Sequence, residues 1–221
     1  VKTAIIVTTD KVYKNTKVKN FYKETDSLGG REVYCSSKAA AELLVESYSD
    51  SFFSTEKKNY KYIATARAGN VIGGGDWAKD RLIPDCINAF SRNKPIKIRN
   101  PNFTRPWQHV LEPLFGYLVL IQNLCSKKGK KFESGWNFGP SLKQNLKVIN
   151  LAKIVRKSLN SSSRILIDRN FRKYNKKKLT FFFFPLNTTS ATAVYAYSRK
   201  ILSVDGRAGL QSPRCNRCPC V

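Results

Sequence analysis

Hydrophobic and polar positions along the chain fall into short β-branched runs that alternate with longer helix-forming stretches. Thr3 to Val7 is a brief apolar run of the kind that makes a buried strand, and polar Thr8, Thr9, Asp10 and Lys11 follow at its end. From Val33 to Ser54 strong helix formers dominate, with no Gly or Pro, and Leu43, Leu44, Ser47 and Tyr48 supply an apolar side to pack on a sheet. Lys61 to Ala68 reads as the next strand. Arg81 to Phe90 reads as a helix with Pro84 in its first turns, where a missing N–H is tolerated. A strand at Ile96 to Arg99, a helix from Glu112 to Leu124, a short strand ending at Trp136 to Pro140, a helix from Leu146 to Leu159 and a strand from Arg164 to Asp168 follow. Strands alternating with helices predict an α/β fold with a parallel sheet. Lys14 to Arg31 keeps neither period and is expected to be a loop, as is the glycine-rich Asn70 to Trp77.

The polar residues between these elements carry the candidate chemistry. Tyr34 and Lys38 lie one turn apart on one face of the predicted helix. A phenol titrates near about 10, so it serves as a base near neutrality only when a cation stabilises the phenolate, a part Lys38 could play. Such a pair also arises by chance on many helices. What singles it out is the cluster upstream, because in open α/β sheets ligands sit at the C-terminal ends of strands, where Thr9, Asp10 and Lys11 fall. Gly73, Gly74 and Gly75 suit close approach of a phosphate or sugar, and equally suit a surface turn. Arg105 offers a planar fork to a phosphate, and Trp107 and His109 are flat side chains able to line a pocket. A lone histidine is more often structural than catalytic.

These residues resemble a known pattern. Thr9, Asp10 and Lys11 at a strand end, then Tyr34 and Lys38 as YxxxK, are similar to the extended short-chain dehydrogenase/reductase group, and within it to the nucleotide-sugar 4,6-dehydratases. The blocks RAGNVIGGGDWAKDRLIPD (Arg67 to Asp85), IRNPNFTRPWQHVLEPLFGYL (Ile98 to Leu118) and GWNFGP (Gly135 to Pro140) resemble the members acting on CDP-glucose, and the match runs from about Ile5 to Leu159. The resemblance implies a partial Rossmann-like doubly wound parallel sheet plus a smaller substrate-binding lobe. Residues 1–68 would belong to the NAD-binding domain and 69–170 mainly to the nucleotide-sugar region. It implies NAD as cofactor, held in part by Tyr34 and Lys38, CDP-glucose as substrate, a homodimer, a cytoplasmic location, and a place in deoxysugar and lipopolysaccharide biosynthesis. Thr9, Asp10, Lys11, Tyr34 and Lys38 would be catalytic, and Asn70, Arg81, Arg105, His109 and Asn137 would meet substrate. Lys11 stands where many relatives carry a glutamate base. A lysine serves as a base only if its pKa falls well below about 10.4, which Lys38 and desolvation would favour. The Asp10–Lys11 pair favours removal of water over simple epimerisation at C4, the alternative activity.

Charge changes this picture little. The chain has 221 residues, 42% of them hydrophobic, enough for a sizeable core, and no apolar stretch approaches a transmembrane span. Its 40 Lys and Arg against 15 Asp and Glu, a formal charge of +25, would suit a basic module binding nucleic acid or an anionic membrane. The basic residues are scattered in short clusters without a nucleic-acid-reading motif, so neither partner is expected. Of six cysteines, Cys35, Cys86 and Cys125 fit ordinary cytosolic thiols. Cys215, Cys218 and Cys220 crowd together, but a zinc site needs a fourth ligand and the single histidine, His109, lies far upstream, so no metal is expected.

Two features depart from the resembled pattern. A dinucleotide fold needs a strand, a glycine-rich turn and a helix N-terminus to hold a pyrophosphate, and Gly73 to Gly75, after a late strand, lacks that spacing. The cofactor-holding half is expected to precede Val1, leaving an unpaired strand edge and a stretch that is inactive and poorly stable by itself. Residues 171–221, with four consecutive phenylalanines and neither period sustained, are expected to be an irregular, non-homologous tail.

Overall fold

A computed structural model of the chain describes residues 1–14, 21–30, 32–53, 60–140, 145–168 and 180–181. They form β1 (Thr3–Val7), β2 (Phe21–Tyr22), α1 (Val33–Tyr48), β3 (Tyr62–Ala68), β4 (Asn70–Ile72), α2 (Leu82–Ser91), β5 (Ile96–Ile98) and β6 (Thr104–His109). There follow α3 (Leu111–Leu124), β7 (Gly135–Phe138), β8 (Asn145–Lys147), α4 (Val148–Ser158), β9 (Ile165–Ile167) and β10 (Thr180–Phe181). The expected strands and helices follow in order, and β2, β6 and β10 are strands where none was expected. Three boundaries differ: α1 ends at Tyr48 and widens into a π turn over Ser49–Phe53, Asn70–Ile72 is strand rather than loop, and the stretch before α4 is strand through Lys147. In the last two, pairing with β6 overrides local preference.

The main sheet is parallel, in the order β1-β3-β7. Central β3 is buried on both faces, and its alternation assigns each face an owner. Ala64 and Ala66 point toward α3, where they join Leu120, Leu124 and Phe138 in one apolar cluster. Each large side chain buried there contributes on the order of 1.5–3 kcal/mol. Gly116 of α3 lets the helix lie on the Phe138 ring, since a Cβ there would stand 2.4 Å from that ring. Thr65 and Arg67 point the opposite way, toward α1.

Helix α1 seats differently from the expected manner. Leu43, Leu44 and Tyr48 are 55%, 59% and 55% exposed, whereas Ala39 and Glu42 are buried. The sheet beneath α1 presents Thr65 and Arg67, so the face that docks is the one able to satisfy a hydroxyl and a guanidinium. Ala39 joins Val12, Tyr13 and Tyr22 in a second cluster, with Leu28 against it. Residues in 14–31 thus contribute core as well as loop, and Tyr13 bridges Leu28. The expected burial of β1 holds only in part: it sits at the sheet edge among the described residues, and Ile6 and Val7 are 38% and 50% exposed.

The remaining elements build a lobe beside this sheet. β6 pairs with β4 in parallel and β8 in antiparallel sense, and β5 pairs with β9. Over the second pair, α2 and α4 enclose Cys86, Phe90, Ile96, Ile98 and Ala152. Of residues 171–221 the structure describes Thr180–Phe181, which pairs in parallel with β2. The rest of the tail, with Cys215, Cys218 and Cys220, lies outside the described residues.

Candidate active site

Beyond the end of β1 the chain turns sharply. Thr9 caps a 3-10 turn over Asp10–Val12, its Oγ1 accepting from the Lys11 N–H and donating to Asp10 Oδ1 at 3.0 Å. Thr9 and Asp10 are 6% and 4% exposed. The Lys11 ammonium lies 5.5 Å from the centre of the Tyr34 ring, so the strand end and the start of α1 meet. Tyr34 is 51% exposed, Lys38 half-buried and Glu42 buried, so one helical stripe descends from solvent into the sheet.

Glu42 anchors that stripe. Its carboxylate accepts from the hydroxyls of Thr8 and Thr65, and from Arg67 Nη2 at 2.8 Å. Arg67 Nη1 donates to the Tyr13 hydroxyl at 2.8 Å and to the Glu24 carbonyl at 3.1 Å. The Tyr13 hydroxyl donates in turn to Asn137 Oδ1 at 2.6 Å. The guanidinium has room because position 135 is glycine: a Cβ there would come 2.2 Å from Arg67 Nη2. Burial pulls the Arg67 pKa down, but the bonds and charges of Glu42 and Tyr13 outweigh it, and the net shift is upward. Thr8 directly precedes Thr9, so this network ties the catalytic candidates on the strand end to the helix carrying Tyr34 and Lys38.

The Asp10 carboxyl is buried beside two cations. Burial raises its pKa above the ordinary aspartate value, against lowering by the Thr9 hydrogen bond and the charges of Lys11 and Arg105. Arg105, lowered by burial and drawn back up by Asp10 and Glu32, joins this cluster to a cavity of about 650 Å³. Leu82, Asp85, Lys97, Ile98, Arg99 and Arg105 are among its walls.

Of the candidates, Thr9, Asp10, Lys11, Tyr34 and Arg105 therefore come together, with Lys38 a turn behind Tyr34. The others do not join them. Arg81 is exposed and pairs with Asp76 at 3.0 Å. Asn70 lies on β4 opposite Trp107. The His109 Nδ1 accepts from the Leu111 N–H at 3.3 Å, capping the start of α3 away from the cavity walls. Asn137 is 4% exposed, and its amide is committed to Tyr13 and to the Tyr22 carbonyl, so here it braces the core. The Gly73–Gly75 turn does not border the cavity.

Sequence reasoning missed Glu42, Arg67, Lys97 and Arg99. Glu42 was within reach, because it extends the Tyr34–Lys38 spacing by one more turn. Lys97 and Arg99 alternate with buried Ile96 and Ile98 on β5, a pattern that marks their outward face but not what lies opposite. Among the described residues no group of three or more His, Cys, Asp or Glu could hold a metal, and no helix is long and apolar enough to cross a membrane.

A partial Rossmann-like sheet with a tyrosine–lysine helix beside a strand-end hydroxyl and carboxylate defines a class, and the comparisons agree with it. The chain belongs to the NAD dependent epimerase/dehydratase family, whose model matches residues 1–135. It is 49% identical over 144 residues to the CDP-glucose 4,6-dehydratase of Salmonella typhimurium, a match covering 63% of this chain and 39% of that protein. It thus spans well under half the length of that relative. Among solved structures, a UDP-glucose 4-epimerase from Thermotoga maritima with UDP-glucose superposes with a TM-score of 0.66 at 17% identity, over 87% of this chain and 57% of that one. The dTDP-glucose 4,6-dehydratase of Bacillus anthracis in complex with NAD gives 0.56 at 17% identity, over 87% and 55%.

Proposed function

We propose that this chain supplies the proton-transfer and substrate-binding part of a CDP-glucose 4,6-dehydratase, which converts CDP-glucose to CDP-4-dehydro-6-deoxyglucose and water. The observation that carries it is the meeting of Lys11 and Tyr34 beside the buried Thr9–Asp10 pair, joined through Arg105 to a nucleotide-sized cavity. The similarity to the Salmonella enzyme supports CDP-glucose as the substrate.

Tyr34, as phenolate, takes the proton from the sugar 4-hydroxyl, and Lys38 stabilises the phenolate. Thr9 holds the 4-oxygen. With C4 oxidised, the C5 proton becomes acidic and Lys11 removes it. Asp10, whose carboxyl burial raises above the ordinary aspartate value, gives a proton to the departing 6-hydroxyl, so water leaves. NAD, held in part by Tyr34 and Lys38, would supply the hydride acceptor at C4 and the hydride donor at C6, and the protonated Lys11 returns its proton to C5 to complete the product. Of the groups needed to hold NAD, Tyr34 and Lys38 are supplied by the described residues, on the partly exposed start of α1. Gly74 and Gly75 of the glycine run have open space around them rather than a cradle. Arg105 meets the diphosphate, and the exposed Leu43, Leu44 and Tyr48 offer a surface for a homodimer.

The test is incubation of the protein with CDP-glucose and NAD, following the sugar nucleotide by mass and proton NMR. No conversion is expected from this chain by itself; joined to the part of the Salmonella relative that it does not cover, it is expected to give the 6-deoxy-4-keto product, with Asp10→Asn lowering the rate by roughly 10²–10⁴-fold, the range for loss of a positioned acid. Conversion of CDP-glucose to its C4 epimer without loss of water would refute the dehydratase assignment. An NAD titration measures separately how far Tyr34 and Lys38 suffice for cofactor.

A further inference from the structure

A cavity built for a diphosphate should be cationic, yet this one is lined by Glu32, Asp80 and Asp85 as well as Lys97, Arg99 and Arg105. Its charges fall into two groups. Arg105 lies with Glu32 and Asp10, where the chemistry is placed. Asp85, on the first turn of α2, lies with Asp80, just before that helix, and with Arg99, and Leu82, Ile98 and Val148 are apolar residues of the same lining. Asp80 forms an ion pair with Arg99. Asp85 is half-buried, and its carboxylate accepts from the backbone of Asp80 while keeping further lone pairs. Burial first, and then the like charge of Asp80, push its carboxyl above the ordinary aspartate value, a strain that a hydrogen-bond donor in the cavity would relieve.

A nucleotide sugar is an extended molecule. With its sugar beside Asp10 and its diphosphate beside Arg105, the Leu82 and Ile98 side chains and Asp85 are the lining left for its base. We propose that Asp85 selects the nucleobase, accepting a hydrogen bond from the exocyclic 4-amino group of cytosine and disfavouring uracil and thymine. Those bases present a carbonyl oxygen at the same position, so two acceptors would face each other, both out of water and unpaired. This assignment rests on the cavity being the nucleotide-sugar site proposed above.

The test is calorimetric titration of the full chain with CDP and with UDP, for the wild type and for Asp85→Asn. The wild type is expected to bind CDP at least about tenfold more tightly than UDP, the scale of one charge-assisted hydrogen bond. Asp85→Asn, whose amide can donate to a 4-carbonyl, is expected to bring the ratio to about unity or below it. A diphosphate whose pyrimidine carries hydrogen at position 4 gives the same comparison on the unaltered protein, and should bind like UDP. Equal binding of CDP and UDP by the wild type, or an undiminished preference in Asp85→Asn, overturns the role of Asp85 alone. Binding of neither nucleotide by a folded chain overturns the placement of the nucleotide in the cavity, and the role of Asp85 with it.

Discussion

Replacing Arg67 by methionine tests what holds α1 on the sheet. In the native chain the guanidinium and the Glu42 carboxylate are 5% and 3% exposed and 2.8 Å apart, so solvent does not screen them. Methionine keeps much of the volume but removes the cation, leaving a carboxylate with two hydroxyl donors, Thr8 and Thr65, and no countercharge. It also strips the Tyr13 hydroxyl and the Glu24 carbonyl of a donor. Breaking a buried pair by removing one partner costs about 3–5 kcal/mol. The remaining hydroxyl donors place this case at the lower end, about 3 kcal/mol, a large share of the roughly 5–15 kcal/mol that holds a domain folded. In urea unfolding followed by far-UV circular dichroism, a slope of about 2 kcal/mol per molar turns that loss into a midpoint about 1.5 M lower, with the slope unchanged. The double variant Arg67→Met/Glu42→Gln removes the orphaned charge and should recover at least about 1.5 kcal/mol. If Arg67→Met loses less than about 1 kcal/mol, or the double variant recovers nothing, the ion pair does not secure the helix and the reasoning fails.

Two further outcomes follow from burial of titratable groups. Because burial raises the Asp10 pKa in the folded chain, its contribution to stability is fully present below the unfolded aspartate value and is lost as pH rises through the raised one. Asp10→Asn should therefore be more stable than the wild type near neutral pH and lose that advantage below about pH 4, as thermal melts across pH would read; equal melting at all pH values would show the carboxyl is not destabilised. Burial, with Asp85 adding to it, pushes the Cys86 thiol up to about 12, so iodoacetamide at mildly alkaline pH should alkylate Cys125 and Cys35 while sparing Cys86 until denaturant is added, as peptide mass mapping would show.

Most of the strands and helices were legible along the chain, as was the grouping of Thr9, Asp10, Lys11, Tyr34 and Lys38. Those signals are local: β-branched runs and helix-forming stretches set the elements, and helical spacing puts Tyr34 and Lys38 on one stripe whatever the rest of the chain does. Which face of each element turns inward was settled by long-range packing. Leu43, Leu44 and Tyr48 outscore Ala39 and Glu42 on hydrophobicity, yet α1 docks through the latter because β3 presents Arg67 and Thr65 across from it, a pairing separated by 25 residues for the ion pair and invisible to any local period. The same holds for Asn137, which reads as a substrate contact from its block but is drawn into the core by Tyr13, 124 residues away in sequence. Buried polar groups must find partners wherever the fold brings them, and that long-range pairing, unlike periodicity, exists only once the chain has closed on itself.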